Sequence, residues 1–181
     1  MQKPNAKTIY TIGHSTRPME EFLEMLKSFG IQALADIRSF PGSKKFPRFN
    51  KENLELVLPE HGIEYFHFKN LGGRRKPQKD SKNNRWRNAS FKAYADYMET
   101  EEFQKAIAQL KNLAKEKTTA YMCSEAVWWR CHRSLVSDTL KAEGWKVLHI
   151  MSTGKTEEHP YTSPAIIING KVCYSDKNLF D

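Results

Sequence analysis

Nowhere in this 181-residue chain does an apolar run approach the roughly 20 residues that a membrane-spanning helix requires, so no membrane partner is expected. The opening stretch, "MQKPNAKTIY", lacks the apolar core of a secretory signal, and the expected compartment is the cytoplasm. Cysteine is scarce. Three residues, an odd number, argue against a disulfide framework and for reduced thiols. Seven residues separate Cys123 from Cys131, wider than the two to four of zinc knuckles, and no second pair exists. No metal and no cofactor are therefore expected. Internal repeats and long low-complexity linkers are also missing, which leaves one domain over 1–181.

What the chain has in excess is positive charge. Lys and Arg number 29 against 21 Asp and Glu, a formal net charge of +8. Such a balance favours polyanionic partners through phosphate neutralisation and counterion release. The excess is concentrated: "KNLGGRRKPQKDSKNNRWR" at 69–87 holds eight Lys and Arg against a single Asp. Within it, Gly72 and Gly73 would let backbone approach a ligand, followed at once by Arg74 and Arg75. Trp86 sits between Arg85 and Arg87, an alternation that can stack a base while neutralising phosphate; a Trp docked on the core is the alternative. The segment "FPGSKKFPRFN" at 40–50 repeats the basic-aromatic theme.

β-branched runs alternate with helical periodicity, which predicts an α/β domain. The expectation is a mainly parallel sheet of about five strands alternating with helices, plus a C-terminal β-hairpin signalled by Asn169-Gly170. The strands are read in "TIYTIGHS", "IQALADIRS", "IEYFHFKN", "TTAYMCSEA" and "KVLHIM", and the stretch "WRCHRSLVSDTLKAEG" as one helix. Ser90 or Thr100 is expected to cap the helices after the basic loop.

On that map the reactive side chains fall at strand ends. His14 and Ser15 close the first strand, Asp36 and Arg38 the second, Lys69 and Asn70 the third, Cys123 and Glu125 the fourth, and His149 lies near the end of the fifth. Carboxyl ends of parallel strands share one edge, where ligands bind, so these groups are expected to line one crevice. His132 continues a buried helical stripe and is either a core histidine or a base at the crevice floor. Arg130 and Arg133 fall in the expected helix's first turn, where cations oppose the macrodipole unless they share an anion such as phosphate. Cys123 is either a nucleophile with a lowered pKa or a small buried residue. Asp36 and Glu125 are candidate acid/base groups, or partners of Arg38, Arg130 and Arg133.

Together "TIGHS" at 11–15, "DIRSFPGS" at 36–43, "LGGRR" at 71–75, "CSEA" at 123–126, "CHR" at 131–133 and "HI" at 149–150 resemble the motif set of the DUF488 family. The resemblance covers nearly the whole chain in order. It implies a fold and a site position rather than a reaction, and its motif residues fall on His14, Ser15, Asp36, Arg38, Pro41, Gly72, Gly73, Arg74, Cys123, Glu125, Cys131, His132 and Arg133. Beside it, the residues favour an enzyme acting on nucleic acid or a nucleotide by a hydrolytic, glycosylase-like step on a base extruded into the crevice. Catalysis would fall to Glu125, Asp36, His14 and His132, and binding to Ser15, Arg38, Arg74, Arg75, Trp86, Cys123, Arg130 and Arg133. The alternatives are a nucleic-acid or nucleotide-binding module without turnover, regulatory or repair-associated, and a thiol enzyme dependent on Cys123, such as a sulfur transferase or redox protein.

Overall fold

Strand β1 (Thr8–Gly13) sends Ile9 to one face of the sheet and Ile12 to the other, and both are fully buried. That two-sided burial marks a central strand of a parallel sheet covered on both faces. The computed structural model describes residues 7–176 and supplies the cover. Six strands run in the order β3-β2-β4-β1-β5-β6, with β2 (Ala33–Asp36), β3 (Glu64–His67), β4 (Thr119–Cys123) and β5 (Lys146–Ser152) parallel to β1. Helices α1 (Met19–Ser28) and α2 (Lys51–Glu60) pack Phe22, Leu26, Leu54 and Leu58 onto the face carrying Ile12, Leu34 and Met122. The opposite face, with Ile9, Ala35 and Tyr121, takes α3 (Ala89–Met98), α4 (Glu101–Glu116) and α5 (Arg133–Ala142) through Tyr94, Phe103, Leu110, Leu135 and Leu140. The result is the expected α/β architecture in three layers.

Two departures from the sequence reading have physical causes. The sheet has a sixth strand, β6 (Lys155–Glu158), antiparallel to β5. All four of its residues are exposed, so this edge carries no hydrophobic alternation by which to recognise it. The single helix expected from Trp129 is instead a 3-10 turn, Trp128–Arg130, then Cys131 in extended conformation, then α5. Thr100 caps α4 by accepting from the Phe103 amide, whereas α3 is capped by Asn88 rather than Ser90. The C-terminal hairpin joins β7 (Ile166–Ile168) to β8 (Lys171–Cys173), with Asn169 and Gly170 both at positive φ, as a tight turn of primed type requires.

The topology fixes where a ligand can enter. From β1 the chain leaves through α1 toward β2, and from β4 it leaves through α5, on the opposite face, toward β5. Adjacent strands with diverging connections open a crevice at their carboxyl ends. Register brings those ends level, since Gly13 lies beside Cys123 and Asp36 beside Met122. No helix of the described residues is long and apolar enough to cross a membrane.

Candidate functional site

The β1–β4 pairing runs on past the strands: the His14 amide donates to the Cys123 carbonyl at 3.0 Å and Ser15 to Ser124 at 2.9 Å. The chain after β4 then folds over Gly13, where a Cβ would stand 1.7 Å from the Glu125 carbonyl oxygen. Only glycine permits that crossing, and it holds Glu125 at the crevice mouth. From below, Arg133 fixes the same loop, its guanidinium donating to the carbonyls of Glu125 at 3.1 Å and Ala126 at 3.5 Å. Arg133 is 1% exposed and its Nε has no partner; burial lowers its pKa to about 10, which leaves it charged at neutral pH.

Arg38 forms the wall from β2. Its guanidinium meets the Asp36 carboxylate in a two-pronged pair, Nε to Oδ1 at 2.9 Å and Nη2 to Oδ2 at 2.7 Å, and Nη2 also donates to the Phe49 carbonyl. Asp36 is fully buried and accepts two more bonds, from the Arg38 amide and the Tyr65 hydroxyl. Burial and that carboxylate both push the Tyr65 pKa up, so its hydroxyl keeps its proton and remains a donor. With its oxygens so occupied, Asp36 stands behind Arg38 and outside the crevice lining.

The crevice has a volume of about 430 Å³, within the range of small-molecule sites. His14, Arg38, Arg74, Cys123, Glu125, Arg130 and His132 all line it, with Phe40, Phe46 and Phe91 as its aromatic surface. Among the charged residues in that lining, Glu125 is the single carboxylate against three arginines. His14 donates its Nδ1 proton to the Ser15 carbonyl at 2.8 Å and stacks on Phe49, leaving Nε2 as acceptor 3.3 Å from Arg38 Nη1. His132 donates from Nε2 to the Ile37 carbonyl at 2.8 Å, and its Nδ1 lies 3.6 Å from Cys131 Sγ. Burial, reinforced by neighbouring arginines, lowers both imidazoles to about 4. Both are neutral at pH 7.

Of the other candidates, Gly73 also borders the crevice and the rest do not line it. Gly72 and Gly73 serve internal packing: a Cβ on Gly72 would meet Ser39 Oγ at 2.4 Å, and one on Gly73 would meet His132 Nδ1 at 2.5 Å. Arg75 lies over the Tyr97 ring, 3.4 Å from its centroid, and donates to the carbonyls of Gly72 and Lys69. Trp86 is docked against Phe91 and Tyr174 at the edge of the core, its indole nitrogen buried. Ser15, at φ 50°, shapes the turn after β1 and is not in the lining. His149 turns inward beneath Trp128 and joins a buried chain of hydrogen bonds from Thr11 through His149 and His159 to Asp138. Among the described residues no group of three metal-ligating side chains is assembled.

Sequence reasoning did not single out Phe40, Phe91, Ser39 or Ser124. Phe40 is 65% exposed on the crevice lip, with the Arg74 guanidinium 5.4 Å from its centroid. The basic-aromatic segment 40–50 was its signal. The structure also departs from the expectation of separate thiols, because Cys123 and Cys131 meet on the crevice floor with their sulfurs in contact and their Cα atoms 7.4 Å apart. The 3-10 turn folds the intervening loop back so that the end of β4 meets the entry to α5, a closure that residue spacing alone does not reveal.

Fold and site thus define a doubly wound α/β domain with a cationic crevice at its switch point. The chain belongs to the family described as "Domain of unknown function DUF488", whose profile matches residues 18–140. No curated protein and no solved structure matches it.

Proposed function

We propose that the crevice binds a nucleotide unit, free or within nucleic acid, and hydrolyses the bond between base and sugar. The observation that carries this reading is the charge pattern of the lining, one carboxylate facing three arginines beside an exposed phenylalanine. Arg74 and Arg130, both exposed, would take phosphate oxygens, and Phe40 would stack the base. Arg38, anchored by Asp36, would supply charge close to the reacting centre. Cleavage of an N-glycosidic bond develops positive charge at the sugar C1′ and negative charge on the departing base. A carboxylate suits the first and a guanidinium the second. Glu125 would accept the proton of the attacking water as its oxygen bonds to C1′, while the C1′–N electron pair leaves with the base. His14, held neutral, would act through Arg38, its Nε2 accepting from Nη1 and so positioning the guanidinium at the crevice.

The test is Glu125→Gln against a panel of single-stranded and duplex oligonucleotides and mononucleotides. Release of free base by the wild type, lost at least 100-fold in the variant with affinity retained, is the expected result. Binding by both proteins with no product from any substrate would leave a nucleic-acid-binding module without turnover. No binding at low salt removes the polyanion reading.

A further inference from the structure

Cys123 and Cys131 both line the crevice with their sulfurs in contact, and the pair brackets the segment 124–130 that carries Glu125 and Arg130. Their surroundings are unequal. Cys131 precedes α5, a ten-residue helix, and its Sγ accepts the Arg133 amide at 3.4 Å. His132 Nδ1 lies 3.6 Å from the same sulfur, and Arg130 shares the lining. An amide at a helix start and a nearby guanidinium both favour thiolate over thiol, while the neutral His132 Nδ1 is an acceptor for the thiol proton. Cys123, at the end of β4, has no such donor among the described hydrogen bonds.

From this asymmetry we propose that Cys123 and Cys131 form a redox-active dithiol–disulfide couple opening into the crevice, with Cys131 as the thiolate that leaves on reduction and attacks on reoxidation. A thiolate of a small dithiol bonds to Cys123 Sγ, and the S–S electron pair departs onto Cys131 Sγ. The second thiol of the reductant then attacks its own sulfur in the mixed disulfide and releases Cys123. The protein gains two electrons and two protons, and the reductant becomes a cyclic disulfide. Reoxidation by a disulfide runs the same bonds in reverse: Cys123 takes up one sulfur of the oxidant as a mixed disulfide, and the Cys131 thiolate then attacks Cys123 Sγ and expels that sulfur as a thiolate. Reduction removes the tie across the loop that presents Glu125 and Arg130, so the couple's state sets the freedom of that segment whatever the crevice binds.

The proposal is tested on the whole, native protein. Samples are equilibrated in dithiothreitol buffers of graded reduced-to-oxidised ratio, quenched in acid, alkylated and read by peptide mass spectrometry, with Cys173 as internal reference. The expected result is that Cys123 and Cys131 gain label together over one transition and lose it again when oxidised dithiothreitol is restored. In Cys123→Ser, Cys131 is expected to alkylate at pH 6 at least 10-fold faster than Cys173. Label acquired only after denaturant is added overturns the proposal, because the pair is then a sealed structural bridge. Independent labelling at every ratio overturns it too. Equal rates for Cys131 and Cys173 in the variant overturn the assignment of the attacking thiol.

Discussion

Replacing Asp36 by Asn separates a strut from a reacting carboxylate. Asp36 is fully buried and its two oxygens accept four hydrogen bonds, three from Arg38 and one from Tyr65. An amide in its place offers one oxygen and turns an NH₂ group toward donors. It also leaves the Arg38 guanidinium, 9% exposed, without its counter-charge. Breaking a buried pair from one side costs about 3–5 kcal/mol. The Phe49 carbonyl still engages Arg38, which places the expected loss near the lower end. For a domain of this size each kcal/mol moves Tm by about 2–4 °C, so a fall of roughly 6–12 °C is expected. Urea denaturation followed by circular dichroism, with calorimetry alongside, measures it. In contrast, Glu125→Gln alters an exposed side chain and is expected to leave the midpoint unchanged. An Asp36→Asn protein within about 1 kcal/mol of wild type, yet inactive, would refute the strut reading and make Asp36 the reacting group.

Acid should destabilise the fold in a defined window. His14 and His132 have native pKa values near 4, below the unfolded 6.5, so the unfolded chain binds more protons between those values. Their stability contribution is complete above about pH 6.5 and is lost as pH falls toward 4, by at most about 3.5 kcal/mol for each at about 1.4 kcal/mol per pH unit; equal urea midpoints at pH 7 and pH 4.5 would contradict it. Trp86→Ala should cost stability, about 3 kcal/mol for a docked indole, and leave oligonucleotide affinity intact; a 10-fold affinity loss at unchanged stability would place Trp86 on the ligand. Arg74→Ala combined with Arg130→Ala should reduce the slope of log affinity against log salt by about 1.4–1.8, seen in titrations at several salt concentrations. An unchanged slope would exclude both from phosphate contact.

The crevice was legible because parallel strands end at one edge, so His14, Arg38, Cys123 and Glu125 could be assembled from strand ends alone. What escaped depended on contacts far apart in sequence or on atoms already spoken for. The Arg-Trp-Arg pattern around Trp86 gives no sign that Tyr174, 88 positions on, receives the indole. Arg133 matches a phosphate-binding pattern, but burial turns it to the loop carbonyls of Glu125 and Ala126. The glycine pair 72–73 looks the same in sequence whether the close neighbour is a ligand or, as here, Ser39 and His132. Strand β6 has no apolar face to announce it.

The proposed function requires that the crevice at the ends of β1, β2 and β4 receive a nucleotide. The most direct measurement is a crystal structure of Glu125→Gln soaked with a single-stranded trinucleotide. The expected structure has a base against Phe40, phosphate oxygens within hydrogen-bond distance of Arg74 or Arg130, and the sugar beside residue 125. A trinucleotide bound on another face of the domain, with the crevice filled only by solvent, would contradict it.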